Sequence, residues 1–244
     1  MVDNNQTKQD IDSVSRVYAS LDCEIHNQGL NFDEVKKLVN LCYWSGIKYF
    51  VDDAACKPTG LALGCPLPDK NITNQLWQMA NSFNSYLFSL SNYKDKNFAF
   101  VPPELYHITV INRSDFDISE VIVTISEAEK QKIQIIINQV VRGTIKIQLK
   151  GLILTSSGRL IVSGFPLDKI LFLLRAKLTQ LLPDLCIHTP PIATIKLGHI
   201  LVPLDFEKTE QLLQWITQCR ENIDAVLSFS DFYTPVGRIT NGTI

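Results

Sequence analysis

Apolar residues recur at three- and four-residue intervals in several parts of the chain, which is the spacing of an amphipathic helix. The same spacing places Val14, Val17, Tyr18 and Leu21 on one face of a short helix, and a second helical signal begins at Asn31, a capping residue. The longer helices that the spacing predicts span residues 74–90, 120–139, 167–182 and 207–219. We expect residues 1–50 to form a helical N-terminal extension and residues 51–244 to form the main domain.

Short or alternating apolar runs predict strands between these helices. The turn at residues 156–159 is expected to join two of them as a hairpin. The predicted strands cover residues 61–65, 144–154, 160–165 and 225–233, with two more beginning near His107 and Thr194. The order of helix, double proline, strand, helix and strand occurs twice, with Pro102-Pro103 and Pro190-Pro191 at corresponding places. This repetition predicts an α+β protein with two related lobes.

Composition narrows the class of protein. The 244 residues are 45% hydrophobic and 20% charged, which is enough to bury a substantial core. A net charge of −2 argues against sequence-independent binding to duplex DNA, which needs many Lys and Arg contacts to phosphate. The start of the chain is polar, and no apolar run approaches the roughly 20 residues of a membrane-spanning helix. We therefore expect a cytoplasmic protein that does not enter a membrane.

Six cysteines are scattered through the sequence without a close pair. Disulfides are the alternative, but reduced thiols fit the expected compartment better. The wide spacing also argues against a structural zinc site, which needs ligand pairs held by short loops. We expect no metal and no other cofactor.

The most informative motif is Tyr106-His107-Ile108-Thr109-Val110. Side chains alternate between the two faces of a strand, so His107 and Thr109 share one face and their apolar neighbours share the other. An imidazole can transfer a proton near neutral pH, and a hydroxyl two residues away can donate to the same anion. The pair is a half-site for phosphate ester chemistry, whereas the simpler alternative is a structural histidine.

A second, similar segment runs from Ala193 to Gly198. Its Thr194 lies 87 positions after His107 (194 minus 107). With these two motifs and the order of strands and helices, the chain resembles the two-histidine phosphoesterase superfamily, which includes RNA 2',3'-cyclic phosphodiesterases and 2'-5' RNA ligases. The resemblance covers residues 60–233 and leaves out the N-terminal extension. It implies two lobes of antiparallel sheet with flanking helices around a central cleft.

The resemblance also implies roles for individual residues. In the family, one histidine is the general base, the other is the general acid, and Thr or Ser hydroxyls hold the phosphate. Carried over, His107 matches a catalytic histidine and Thr109 a phosphate-binding hydroxyl. The second motif departs from the pattern, because Thr194 stands at the histidine position and Lys196 at the hydroxyl position.

The departure limits the chemistry, since a positioned acid or base typically contributes about 10² to 10⁴ in rate. We expect Thr194 and Lys196 to bind phosphate, with Lys196 as a fixed cation; a lysine that only reaches solvent is the alternative. Alternation places His199 on the opposite face from Lys196, so it is a poor substitute for the missing histidine. His188 and His26 are still weaker candidates.

Four other residues have lesser claims. Arg113 comes just after the His107 strand, and Arg159 lies in the hairpin turn. Either guanidinium could contact a phosphate, although such side chains are more often solvated. Tyr106 and Phe165 could stack on a base, although core packing is the more common role of aromatic residues.

Three functions remain open. The first is a metal-independent phosphoesterase, with weakened or lost activity, that acts on a cyclic phosphate or phosphodiester of a nucleotide or RNA end. The second is a non-catalytic member of the same fold that binds a phosphorylated small molecule, nucleotide or RNA end. The third is an interaction protein that uses neither chemistry. The sequence does not define the oligomeric state.

Overall fold

The computed structural model describes residues 4–31, 33–35, 61–91, 97–112, 125–185, 191–220, 223–234 and 237–240. The helices are α1 (Asn4–Gln28), α2 (Lys70–Leu90), α3 (Glu127–Val140), α4 (Ile170–Leu181) and α5 (Phe206–Arg220). The strands are β1 (Leu61–Pro66), β2 (Phe98–Phe100), β3 (His107–Asn112), β4 (Ile145–Leu154), β5 (Arg159–Pro166), β6 (Ala193–Ile200), β7 (Asp224–Phe229), β8 (Asp231–Thr234) and β9 (Gly237–Thr240). Single 3-10 turns lie at Pro103–Leu105 and Pro183–Leu185.

These elements form a mixed α+β structure with two antiparallel sheets, so the predicted fold class is confirmed at that level. The smaller sheet has the strand order β3-β1-β8-β9, and the larger sheet has the order β2-β6-β5-β4-β7. The predicted hairpin is present as β4 and β5, and its turn contains Gly158 at a φ of 78°. Left-handed backbone of this kind favours glycine at that position.

The chain passes between the sheets several times. The strand predicted over residues 225–233 is wrong, because it is broken at Ser230 into two strands of different sheets. β7 pairs with β4 of the larger sheet, and β8 pairs with β1 of the smaller one. A continuous strand would point Phe229 and Phe232 to opposite faces, whereas the break allows both rings to be buried in the core.

Capping residues set the starts of two helices away from their predicted positions. α2 begins at Lys70 instead of residue 74, because the Asp69 carboxylate accepts hydrogen bonds from the backbone N–H groups of Asn71 (2.7 Å) and Ile72 (3.2 Å). α3 begins at Glu127 instead of residue 120, after the capping box that Ser126 forms with Glu129. Residues 120–124 of the predicted helix lie outside the described residues.

The larger sheet has helices on both faces. One face packs on α2 and α5 and forms most of the main core. The other face carries Ile153 and Ile161, which pack against Val14 and Tyr18 of α1. The predicted apolar face of the N-terminal segment is thus present, on a helix of 25 residues.

The segment after α1 begins as predicted. The Asn31 side chain accepts a hydrogen bond from the backbone N–H of Glu34 (3.2 Å), and residues 33–35 are helical. The remainder of that predicted helix lies outside the described residues, and the division of the chain at residue 50 stays a prediction. None of the helices in the described part of the chain is long and apolar enough to span a bilayer.

Candidate functional site

Strand β3 presents His107 and Thr109 on one face. Both residues are half-buried, whereas Ile108 and Val110 on the other face are completely buried. The alternation that the motif predicts is therefore present. It fixes the direction of the His107 ring relative to the sheet, away from the packed core.

Two contacts hold the His107 ring. Its Nδ1 lies 2.7 Å from the backbone carbonyl oxygen of Leu105, so Nδ1 carries the hydrogen that it donates to that carbonyl. The ring of Tyr233 meets it edge to face, with 5.5 Å between the ring centroids. In the neutral ring, Nε2 is then the nitrogen that can accept a proton.

Burial lowers the pKa of His107 from its usual value, and the positive charge of Lys196 lowers that pKa further. The hydrogen bond to the Leu105 carbonyl acts in the opposite direction but does not outweigh burial. His107 is accordingly neutral at pH 7, with Nε2 unprotonated. This is the protonation state of a general base.

Arg175 of α4 joins the strands that carry the two motifs. Its Nε donates to the backbone carbonyl of Val110 (3.1 Å), and its Nη2 donates to the carbonyls of Thr109 (2.8 Å) and Ile192 (3.0 Å). Thr109 and Val110 belong to β3, and Ile192 immediately precedes β6. The smaller sheet and the larger sheet therefore meet at these two strands.

Arg175 is not among the residues that the motifs predict for the site, although the pattern of α4 marks it. Arg175 lies on the same helical face as Leu171, Leu174 and Leu178, all of which are buried. A charged residue within an apolar stripe predicts a buried cation with specific partners. Burial lowers the pKa of the guanidinium to about 10, so it stays charged at neutral pH.

Strand β6 presents Thr194 and Lys196 on the face opposite to the buried Ile195 and Leu197. Thr194 is half-buried and Lys196 is exposed. Strand β6 contacts β3. The positive charge of Lys196 makes the smallest of the contributions to the pKa of His107.

The alternation of β6 ends at Leu197, which is the extra residue of a β-bulge. Before the bulge, Lys196 pairs with Ile161 of β5; after it, Gly198 pairs with Leu160. Ile161 packs against α1, whereas Leu160 packs in the main core on the other side of the sheet. A bulge of one residue shifts the subsequent side chains by one position relative to simple alternation.

This bulge overturns the prediction that His199 lies on the opposite face from Lys196. His199 pairs with Arg159, the residue two before Ile161, and so lies on the same face as Lys196. Burial lowers the pKa of His199 well below its usual value, and the charges of Lys196 and Arg159 lower it further. His199 is therefore neutral and lies close to both cations.

The other candidates are placed as follows. Tyr106 is only 1% exposed and belongs to the core, so it is not a base-stacking residue. Phe165 packs against Tyr18 of α1, with 5.1 Å between the ring centroids. His26 lies on α1, where its Nδ1 is 2.7 Å from the carbonyl oxygen of Asp22. Arg113 and His188 lie outside the described residues.

Within the described part of the chain, no three His, Cys, Asp or Glu side chains are grouped so that they could hold a metal ion. The chemistry of the site is that of two hydroxyls, an imidazole and an ammonium group. The sequence matches no protein-family model, and no curated protein is significantly similar to it.

Proposed function

We propose that this chain is a phosphoesterase-like protein that acts on a cyclic phosphate or phosphodiester of a nucleotide or RNA end. The observation that carries the proposal is the contact between β3, which holds His107, and β6, which holds Lys196, where the two antiparallel sheets meet. This placement supports the two-lobed, two-histidine arrangement as part of the same proposal. His107 is the retained catalytic histidine.

Each site residue has one role in the proposed reaction. Nε2 of His107 takes a proton from a water molecule as the water oxygen bonds to phosphorus and the bond from phosphorus to the ester oxygen breaks. Lys196 neutralises charge on the phosphate, and the hydroxyls of Thr109 and Thr194 donate hydrogen bonds to its oxygens. Solvent supplies the proton for the leaving oxygen, because Thr194 cannot supply it at neutral pH.

The replacement of the second histidine favours one alternative, a non-catalytic protein of the same fold that binds the same phosphate groups. Thr194, Lys196 and Thr109 suffice to bind a phosphate without proton transfer. The ligands are phosphorylated small molecules, nucleotides or RNA ends in either case. The proposed compartment is the cytoplasm, in which cysteine thiols stay reduced.

Hydrolysis of 2',3'-cyclic nucleotides tests for catalysis. We expect His107→Ala to lower the rate by about 10²-fold or more, as the loss of a general base does. His26→Ala, a substitution on exposed α1 surface, is the matched control and should keep the wild-type rate. Hydrolysis that survives His107→Ala excludes His107 as the catalyst.

A gain of activity is the sharper test of the arrangement. Thr194→His restores a histidine at the position where the resemblance requires one, on the same face as Lys196. We expect it to raise the rate of cyclic phosphate hydrolysis at least about tenfold, since it supplies the missing proton donor. An unchanged rate, with the variant folded, contradicts the assignment of Thr194 to the site.

Calorimetric titration with adenosine 2'-monophosphate distinguishes a protein that binds a phosphorylated ligand at this site from one that does not. Lys196→Ala should weaken binding about tenfold, which is the effect of losing one charge-assisted contact. Lys146→Ala, another exposed strand lysine, should bind as the wild type does. Equal affinities for the wild type and Lys196→Ala remove Lys196 from the site, and absence of binding to the wild type removes the proposed ligand class.

A further inference from the structure

His199 is a buried histidine without a hydrogen-bond partner among the residues that the structure describes. Its side chain is 3% exposed, and neither ring nitrogen makes a hydrogen bond within the described part of the chain. Buried polar atoms are nearly always paired in folded proteins, because an unpaired group loses its bonds to water without replacement. An imidazole at this depth with no partner in the described part of the chain therefore needs a physical explanation.

The position of the ring supplies one. The bulge at Leu197 places His199 on the same face of β6 as Lys196, and Arg159 lies opposite it on β5. Lys196 is exposed, whereas His199, farther along the same face, is buried. A neutral imidazole offers one N–H donor, and the two neighbouring side chains are cations.

We propose that His199 is a second ligand-binding histidine, which donates a hydrogen bond to the phosphate group that Lys196 holds. The assignment rests on the proposed function, because it concerns the same ligand. The phosphate enters at Lys196, and one of its oxygens reaches the N–H of His199. The arrangement gives the site two histidines, one on each sheet, although the second does not stand in the second motif.

The alternative is a histidine that fills space in the core, and the two readings differ in their effect on stability. If His199 only fills space, phenylalanine removes two unpaired polar atoms and leaves binding unchanged. If His199 binds ligand, the same substitution stabilises the free protein and weakens binding. A stability gain that accompanies a loss of function is typical of residues retained for function.

The experiment compares wild type, His199→Phe, His199→Gln and Lys196→Ala by thermal unfolding and by titration with adenosine 2'-monophosphate. We expect His199→Phe to melt at the same or a higher temperature and to bind about tenfold more weakly, as the loss of one hydrogen bond to a charged group requires. His199→Gln keeps a side-chain donor and should bind with an affinity between the two. His199→Phe that melts normally and binds as the wild type does overturns the assignment.

Nitrogen chemical shifts of the histidine rings keep the test decisive if the phenylalanine variant does not fold. In the wild-type protein, the His199 nitrogens should shift when adenosine 2'-monophosphate is added, and unchanged shifts in the bound protein overturn the assignment. Weak binding by His199→Phe together with normal binding by Lys196→Ala supports His199 and contradicts the proposed role of Lys196. Absence of binding to the wild type contradicts the proposed function and the assignment together.

Discussion

Gly64 of β1 provides the space in which His107 and Tyr233 pack. A Cβ atom at this position would lie 3.1 Å from Cδ2 of His107 and 3.2 Å from Cε1 of Tyr233, closer than ordinary van der Waals contact. Gly64 pairs with Thr109 of β3 on one side and with Tyr233 of β8 on the other, so the rings of His107 and Tyr233 meet beside it. A residue with no side chain thus sets the position of the catalytic candidate.

We predict that Gly64→Ala displaces the His107 ring and lowers the affinity for adenosine 2'-monophosphate several-fold. The physical reason is that the ring must move by a few tenths of an ångström to admit the methyl group, which disturbs its hydrogen bond to Leu105. Titration calorimetry measures the affinity, and the histidine resonances report the movement. Wild-type resonances and affinity in the variant would show that the rings tolerate the methyl group.

The half-buried His107 and the buried His199 also predict how stability depends on pH. The pKa values of His107 and His199 are lower in the folded protein than in the unfolded chain. The pKa of a histidine in an unfolded chain is about 6.5. As the pH falls below that value, the unfolded chain takes up protons that the folded rings do not. Their contribution to stability is therefore complete above about pH 6.5 and is lost as the pH falls toward their folded pKa values.

Urea unfolding at about pH 5 and about pH 7.5 measures this effect. We expect a lower free energy of unfolding at the acid pH and a smaller difference between the two values in His199→Phe. The variant removes one of the two groups, so part of the dependence should remain through His107. The same difference in both proteins would contradict a buried, neutral His199.

At the scale of strands and helices, local patterns predicted most elements but not their irregularities. The alternation of β4 and the facing of His107 and Thr109 follow from the sequence of a single strand. The bulge at Leu197 does not, because it is a mismatch of register between β5 and β6 and depends on both. The face on which His199 lies therefore cannot be predicted from the sequence of β6 alone.

The division of the final predicted strand at Ser230 had a similar cause. A strand chooses its partner through contacts that are distant in sequence, and β8 pairs with β1. One signal was present, since Phe229 and Phe232 are three residues apart and cannot both face the core of one regular strand. The position of Arg175 within the apolar face of α4 is likewise visible in the sequence. Its three carbonyl partners are not, because they belong to strands distant in sequence.

The helix α4 stabilises the meeting of β3 and β6 through Arg175. We predict that Arg175→Met lowers the free energy of unfolding by about 3 kcal/mol or more, because it leaves buried carbonyl groups without donors. Arg175→Lys should restore little of this loss, since an ammonium group does not reproduce the planar fork of the guanidinium. Denaturant unfolding gives the values, with exposed Lys177→Met on the same helix as the control. Equal stabilities of the lysine variant and the wild type would contradict this role of the fork.

At the scale of the whole molecule, the strands of the two sheets are interleaved along the chain. The smaller sheet takes β1 and β3 from the first half and β8 and β9 from the end, and the larger sheet takes the strands between them together with β2. No single cut in the chain can separate the two sheets. The C-terminal strands β8 and β9 complete a sheet whose first strand, β1, starts at Leu61. More than 150 residues separate β1 from β8, which ends at Thr234.

We predict that a chain ending at Phe229 does not fold to a single state, because it lacks two of the four strands of the smaller sheet. It also lacks Tyr233, which packs against His107. Near-ultraviolet circular dichroism and size-exclusion chromatography should show lost tertiary packing and association. A chain ending at Thr240 keeps β8 and β9 and should behave as the full-length protein. Cooperative unfolding of the shorter chain would contradict the prediction.

The link that Arg175 makes has a consequence for how this protein can change over generations. Among the described residues, the acceptors of its hydrogen bonds are the main-chain carbonyls of Thr109, Val110 and Ile192. Main-chain carbonyls are the same whatever side chain a mutation introduces. The hydrogen bonds that Arg175 makes to the two strands therefore do not depend on which side chains stand in the motifs. Substitutions at the positions of Thr194 and Lys196 can therefore accumulate without loosening the frame. A fold held in this way can be retained while the side chains of the motifs, and with them the reaction or the ligand, change.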